Sequence, residues 1–161
     1  MSSIFGEKLV VAVYVTEADP LAKIKNLLKT EDRCQTSYFD KLEDFKKFIE
    51  DNNVNIAYCD IDCPTGASKN TDMQDVAREL LGYKKGTYLI LLTNDPKISK
   101  LTTLYRLGVH SMIFKEEGHM AFKSEHNRAV EHLYYWRSRF EQLLVDRSMT
   151  KEFDELFDDL K

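Results

Sequence analysis

Two kinds of apolar pattern alternate along this chain. Continuous apolar runs at residues 9–15, 56–59, 88–92 and 112–114 are about strand length and show no polar face, the signature of parallel strands buried on both sides. Between them the apolar residues recur at helical spacing: Leu21, Ile24, Leu27 and Leu28; Leu42, Phe45, Phe48 and Ile49; Met73, Val76 and Leu80; Ile98, Leu101, Leu104 and Tyr105. A weaker strand at residues 35–39 fits between the first two helices, and a long helix from about Lys123 closes the series. Pro20 suits a first helical turn, and Thr71 with Gln74 has the spacing of a capping box.

The order is strand then helix, five times. It predicts an α/β, doubly wound fold of the flavodoxin type, a five-stranded parallel (βα)5 sheet with helices on both faces. At 161 residues, with no internal repeat or Pro/Gly-rich linker, the chain divides into one domain over residues 1–145 and a helical extension over 146–161. Leu133, Trp136, Phe140 and Leu143 recur at steps of three and four along the last helix, and packing against its own sheet accounts for most of that stripe. Residues 146–149 are expected to interrupt the helix, Thr150 to cap a second one, and Phe153, Leu156, Phe157 and Leu160 to share a face of it. A helix that short is marginal alone, so it is expected to dock on its own domain, a second copy or another protein.

Charge and composition remove several function classes. The 23 Lys and Arg against 27 Asp and Glu give a formal net charge of −4 with no dense basic block, which disfavours nucleic acid as a partner. No segment approaches the ~20 apolar residues of a membrane span, and the N-terminus lacks the layout of a secretory signal. Cys34, Cys59 and Cys63 form neither an even disulfide set nor a metal knuckle, and read as free thiols of a cytoplasmic protein. His110, His119, His126 and His132 have no metal-ligand spacing with the cysteines, and the glycines form no phosphate-binding loop. The chain is accordingly expected not to be an enzyme.

In an open doubly wound sheet, chemistry collects beyond the carboxyl ends of the strands. There the chain places Glu17, Ala18 and Asp19 after the first run, Asp60 and Asp62 after the third element of the sheet, Thr93 and Asn94 after the fourth, and Lys115, Glu116 and Glu117 after the fifth. Carboxylates that hold a hard cation, an acid that attacks phosphorus, and a hydroxyl and an ammonium for phosphoryl oxygens would make a phosphoryl acceptor. Each position also has a plainer reading. Thr93-Asn94-Asp95-Pro96 fits a turn or helix cap equally well, Lys115 can belong to a solvated charge cluster, and Glu17 can be a surface acid.

Over about residues 8–145 the chain resembles the receiver (CheY-like) domains of two-component response regulators. The resemblance rests on Asp60 with Pro64 four residues on, Thr93 after Leu89-Ile90-Leu91-Leu92, Gly108, and Lys115 after Met112-Ile113-Phe114. It implies Asp60 as phosphoacceptor for a histidine kinase, Thr93 and Lys115 as phosphoryl contacts, and Mg²⁺ held by Asp60 with Glu17 and Asp19. It also implies output through protein partners such as a downstream effector. The departures are Ala18 where such domains carry their second acid, Met112 at the aromatic switch, Glu116 in place of a proline, and a longer loop over residues 65–70. They mark a degenerate site and an alternative, a pseudo-receiver that binds partners or homodimerises through its C-terminal helices without phosphorylation. A third reading, a small flavodoxin-like enzyme, requires a donor-rich loop where Thr16-Glu17-Ala18-Asp19 is acidic.

Overall fold

The structure, a computed structural model, describes residues 8–62, 73–83, 86–94 and 98–159. Five strands, β1 (Leu9–Tyr14), β2 (Cys34–Phe39), β3 (Ile56–Asp60), β4 (Tyr88–Thr93) and β5 (Ser111–Phe114), form one sheet in the order β2-β1-β3-β4-β5, all parallel. Helices α1 (Ala18–Lys29), α2 (Leu42–Asp51), α3 (Met73–Tyr83), α4 (Ile98–Arg106) and α5 (His119–Asp159) follow them in turn. The expected element order and fold class are both present.

Why these segments take these states follows from what each buries. β1, β3 and β4 are interior strands and nearly wholly buried, so no polar alternation is needed. β2 lies at the sheet edge with a half-exposed sequence, CQTSYF, which explains its weak signal. Successive side chains point to opposite faces. Ala12, Tyr14, Ala57, Cys59, Leu89 and Leu91 join the α2, α3 and α4 residues Phe45, Ile49, Val76, Leu80 and Leu104 in one core cluster. The alternate positions, among them Val11, Val13, Ile56, Tyr58 and Ile90, are equally buried, as are Ile24 and Leu28 of α1 and Phe122 and His126 of α5. Gly108, at φ +99, makes the left-handed turn between α4 and β5 that only glycine adopts without strain.

The chain separates into two compact units, Met1–Asn127 and Arg128–Lys161. The second differs from expectation. α5 runs unbroken to Asp159, so residues 146–150 neither interrupt it nor cap a new helix. The segment contains no Gly or Pro, and Asp, Ser and Thr only lower helix propensity slightly, which is not enough to stop a helix already propagating. Along α5, Trp136, Phe140 and Leu143 are 46, 54 and 46% exposed, with Tyr135, Leu144 and Val145 exposed beside them.

Candidate functional site

β1 and α1 meet β3, β4 and β5 at the carboxyl edge of the sheet, where the crossover direction reverses between β1 and β3. Register aligns the acids and the cation there: Asp60 ends β3 beside Leu92, Thr93 ends β4 beside Phe114, and the Lys115 amide donates to the Thr93 carbonyl at 3.1 Å. Lys115 is the hub. Its ammonium, in a side chain only 2% exposed, lies 2.7 Å from Asp60 Oδ1, 2.9 Å from Glu17 Oε1 and 3.1 Å from Asp62 Oδ2. Glu17 stands at the N-cap position of α1 with extended backbone, yet spends its carboxylate on Lys115 rather than on the helix amides. Lys23 of α1 fixes the segment after β5 from behind, donating to the Lys115 and Glu117 carbonyls at 3.1 and 2.8 Å.

Asp62 closes the arrangement. Thr93 Oγ1 donates to Asp62 Oδ1 at 2.6 Å, the Asn94 amide donates to Asp62 Oδ2 at 2.6 Å, and Lys115 reaches the same oxygen. The Asp62 amide in turn donates to Asp60 Oδ1 at 2.9 Å. One carboxylate thus collects a hydroxyl, a backbone amide and an ammonium, a donor set suited to any tetrahedral or planar oxyanion.

Environment sets the two acids apart. Burial pushes the Asp60 carboxyl above its usual range, against the pull of Lys115, and its buried Oδ2 has no hydrogen-bond partner among the described residues. Burial works to raise Asp62 as well, but Thr93, Asn94 and Lys115 outweigh it and hold that carboxyl below its usual range. On Lys115, burial opposes charge, and the hydrogen bonds to Asp60 and Glu17 overcome it, so the ammonium stays protonated.

The residues present do not fit a Mg²⁺ ion. Such a site needs near-octahedral oxygens at about 2.0–2.1 Å. Here Glu17 Oε1, Asp60 Oδ1 and Asp62 Oδ2 already face the Lys115 ammonium, and position 18 offers a methyl group. Asp19, largely exposed, pairs with Lys23 at 3.2 Å one turn along α1 instead of turning to Asp60. Asp60 Oδ2 is left as a lone inward oxygen among the described residues.

The structure therefore brings together Glu17, Asp60, Thr93 and Lys115, and leaves Asp19 on the helix surface. Met112 is half-buried against the core, and Glu116 is exposed. Pro64, Cys63, the loop 65–70 and the Thr71 capping position lie outside the described residues. Asp62 was visible in the sequence as a second acid after β3, but nothing there said that it would take the donors of Thr93 and Lys115.

No family model matches the chain, and no curated protein matches it. Solved structures do. A CheY-like response-regulator receiver domain from Methanospirillum hungatei JF-1 aligns with a TM-score of 0.68 and 13% identity, over 80% of this chain and 98% of that one. The signal receiver domain of an HD domain-containing protein from Pseudomonas fluorescens Pf-5 aligns at 0.69 and 15%, over 83% and 94%. NtrX from Brucella abortus aligns at 0.70 and 16%, over 83% of this chain but 29% of its own length. No helix among the described residues is long and apolar enough to cross a membrane. The five-stranded sheet, its strand order and these matches give one conclusion: the chain has the fold of CheY-like response-regulator receiver domains.

Proposed function

We propose that this chain is a receiver-like signalling module that works through protein contact without phosphorylation and without catalysing a reaction. The observation that carries this reading is the Asp62 carboxylate. It occupies Thr93 Oγ1, the Asn94 amide and Lys115 Nζ, the groups that a phosphoryl oxygen on Asp60 would need. Two further features support it: the poor fit to Mg²⁺, and the burial of Asp60, whose side chain is 1% exposed.

Output by contact is supported by the C-terminal helix. Its exposed Trp136, Phe140 and Leu143 are the kind of contiguous apolar surface that marks a protein interface, with a second copy or an effector as the partner. Incubation of the chain with Mg²⁺ and acetyl phosphate, followed by a phosphate-affinity gel, tests the reading. No shifted band is expected from the natural chain. A shifted band that disappears in Asp60→Asn would establish a working phosphoacceptor and end the proposal.

A further inference from the structure

Away from the acid cluster, three ligand-bearing residues converge, with Cys34 at the amino end of its strand and His126 far from it in the chain. Glu31 is in the turn between α1 and β2, Cys34 opens β2, and His126 sits two turns into α5. One donor atom from each, a carboxylate oxygen, a thiol sulfur and an imidazole nitrogen, lies within 4.8 Å of the other two. We propose that Glu31, Cys34 and His126 form a binding site for one divalent transition-metal ion of the zinc class.

Ligand chemistry selects the ion. A mixed sulfur, nitrogen and oxygen set suits a borderline cation and not Mg²⁺ or Ca²⁺, which take oxygen. Three protein ligands leave a fourth position to water, and Glu31 also lines a surface cleft of about 360 Å³ with Arg33, Lys123 and Asn127. The Cys34 thiolate and the Glu31 carboxylate offset a dication in part, with the Arg33 guanidinium leaving the group one positive charge over.

Geometry is close to what such an ion requires. Bond lengths of about 2.0–2.3 Å in a tetrahedron place donor atoms roughly 3.5 Å apart. Glu31 Oε2 and His126 Nε2 stand at 3.0 Å, slightly inside that spacing, and since all three donors lie within 4.8 Å of one another, no separation in the trio has to close by more than about 1.3 Å. Cys34, half-buried at the start of an edge strand, is the ligand placed to move.

Both fixed ligands are already oriented by neighbours, as metal ligands are. Arg33 grips the Glu31 carboxylate through Nε and Nη2, each at 2.7 Å, with its own amide adding a third bond at 3.1 Å. The fully buried His126 ring is held by Tyr58, whose hydroxyl lies 2.7 Å from Nδ1. For Nε2 to bind a metal, the single ring hydrogen must sit on Nδ1 and be donated to the Tyr58 oxygen, and the Cys34 proton must leave to solvent. Neither requirement asks the backbone to move.

Cobalt(II) is the probe. Titrated into the full chain, it should give a thiolate-to-cobalt charge-transfer band and the visible bands of a four-coordinate ion, saturating at one ion per chain and bleached by Zn²⁺. Cys34→Ser, checked for folding by circular dichroism, should lose the charge-transfer band. Tyr58→Phe should keep it while binding about 10- to 100-fold more weakly, the effect of losing an outer-shell partner. Zn²⁺ should raise the Tm of the natural chain and not that of Cys34→Ser. Absence of the band from the natural chain, or its persistence in Cys34→Ser, would overturn the proposal and leave the three residues as a hydrogen-bonded network only.

Discussion

Replacing Lys115 by Met removes the cation on which three carboxylates converge while keeping most of the side-chain volume. The worst-affected partner is Asp60, 2.7 Å away with a side chain 1% exposed. Glu17, half in solvent, loses little, and Asp62 retains Thr93 and Asn94. Breaking one side of a buried pair costs about 3–5 kcal/mol. For a chain of this length that is a fall in Tm of roughly 6–20 °C, at about 2–4 °C per kcal/mol. The cost must depend on pH. Burial already raises Asp60, and without Lys115 its folded-state pKa rises further above the unfolded value near 3.9. A raised folded value means the native state binds the proton more tightly, so stability is retained below the unfolded pKa and is lost as pH climbs through the folded one. Urea denaturation of Lys115→Met against the natural chain at about pH 7.5 and about pH 4.5 should show the deficit shrinking by at least half at the lower pH. Adding Asp60→Asn to Lys115→Met should restore much of the loss at the higher pH, a coupling of about 1–3 kcal/mol. A deficit under about 1 kcal/mol at neutral pH, or one indifferent to pH, would refute the view of Asp60 as a buried charge held by Lys115.

Other perturbations read other parts of the molecule. Phe45→Ala empties a fully buried position packed on Tyr14 and Phe39, with ring centroids 5.5 and 6.0 Å away, and should cost about 3–5 kcal/mol by urea denaturation. Gly108→Ala meets open space but needs φ +99, so a loss of about 1–2 kcal/mol should come from the backbone alone. Phe140→Ala on the exposed stripe should leave the stability of the domain within about 0.5 kcal/mol. Trp136→Glu with Phe140→Glu should convert any self-associated species seen by sedimentation velocity into monomer, and no change in an associating sample would move the interface elsewhere.

The fold was legible because its inner strands are buried on both faces. Runs such as Leu89-Ile90-Leu91-Leu92 need no tertiary information to be recognised, and they order the helices between them. Where burial is partial the signal thins. β2 read weakly because its edge position lets Gln35 and Ser37 stand among Tyr38 and Phe39, and the end of α5 misread because polar residues look like punctuation when no helix breaker is present. The strand ends could be read from the order of the runs, because the sheet alone puts Asp60, Thr93 and Lys115 on one edge. Which carboxylate takes which donor was not legible, because it depends on how the chain turns after Asp60. The cluster of Glu31, Cys34 and His126 was invisible for a stronger reason: 95 residues separate Glu31 from His126, and ligand spacing along a sequence reports only local sites.

On the proposed reading, Asp62 fills the space that Ala18, standing where an acid is expected, would otherwise leave open. A phosphoryl group on Asp60 would bring about −1.5 to −2 charge beside the Asp62 and Glu17 carboxylates, with Lys115 as the cation they share and no fitting seat for a divalent ion. It would also have to displace a competitor tethered in place by its own backbone, through the Asp62 amide on Asp60. Even a flexible tether supplies a local concentration of about millimolar, and a tether held at both the amide and the carboxylate supplies more. A small-molecule phosphodonor therefore faces repulsion and competition together. Removing Asp62 alone would relieve the second but leave Ala18 without its acid, so Asp62→Ala should free Thr93 and Asn94 without creating Mg²⁺ affinity, whereas pairing it with Ala18→Asp supplies both missing terms. If the single change alone made the chain a phosphoacceptor, the tethered anion would be the whole block; if neither did, the burial of Asp60 would be.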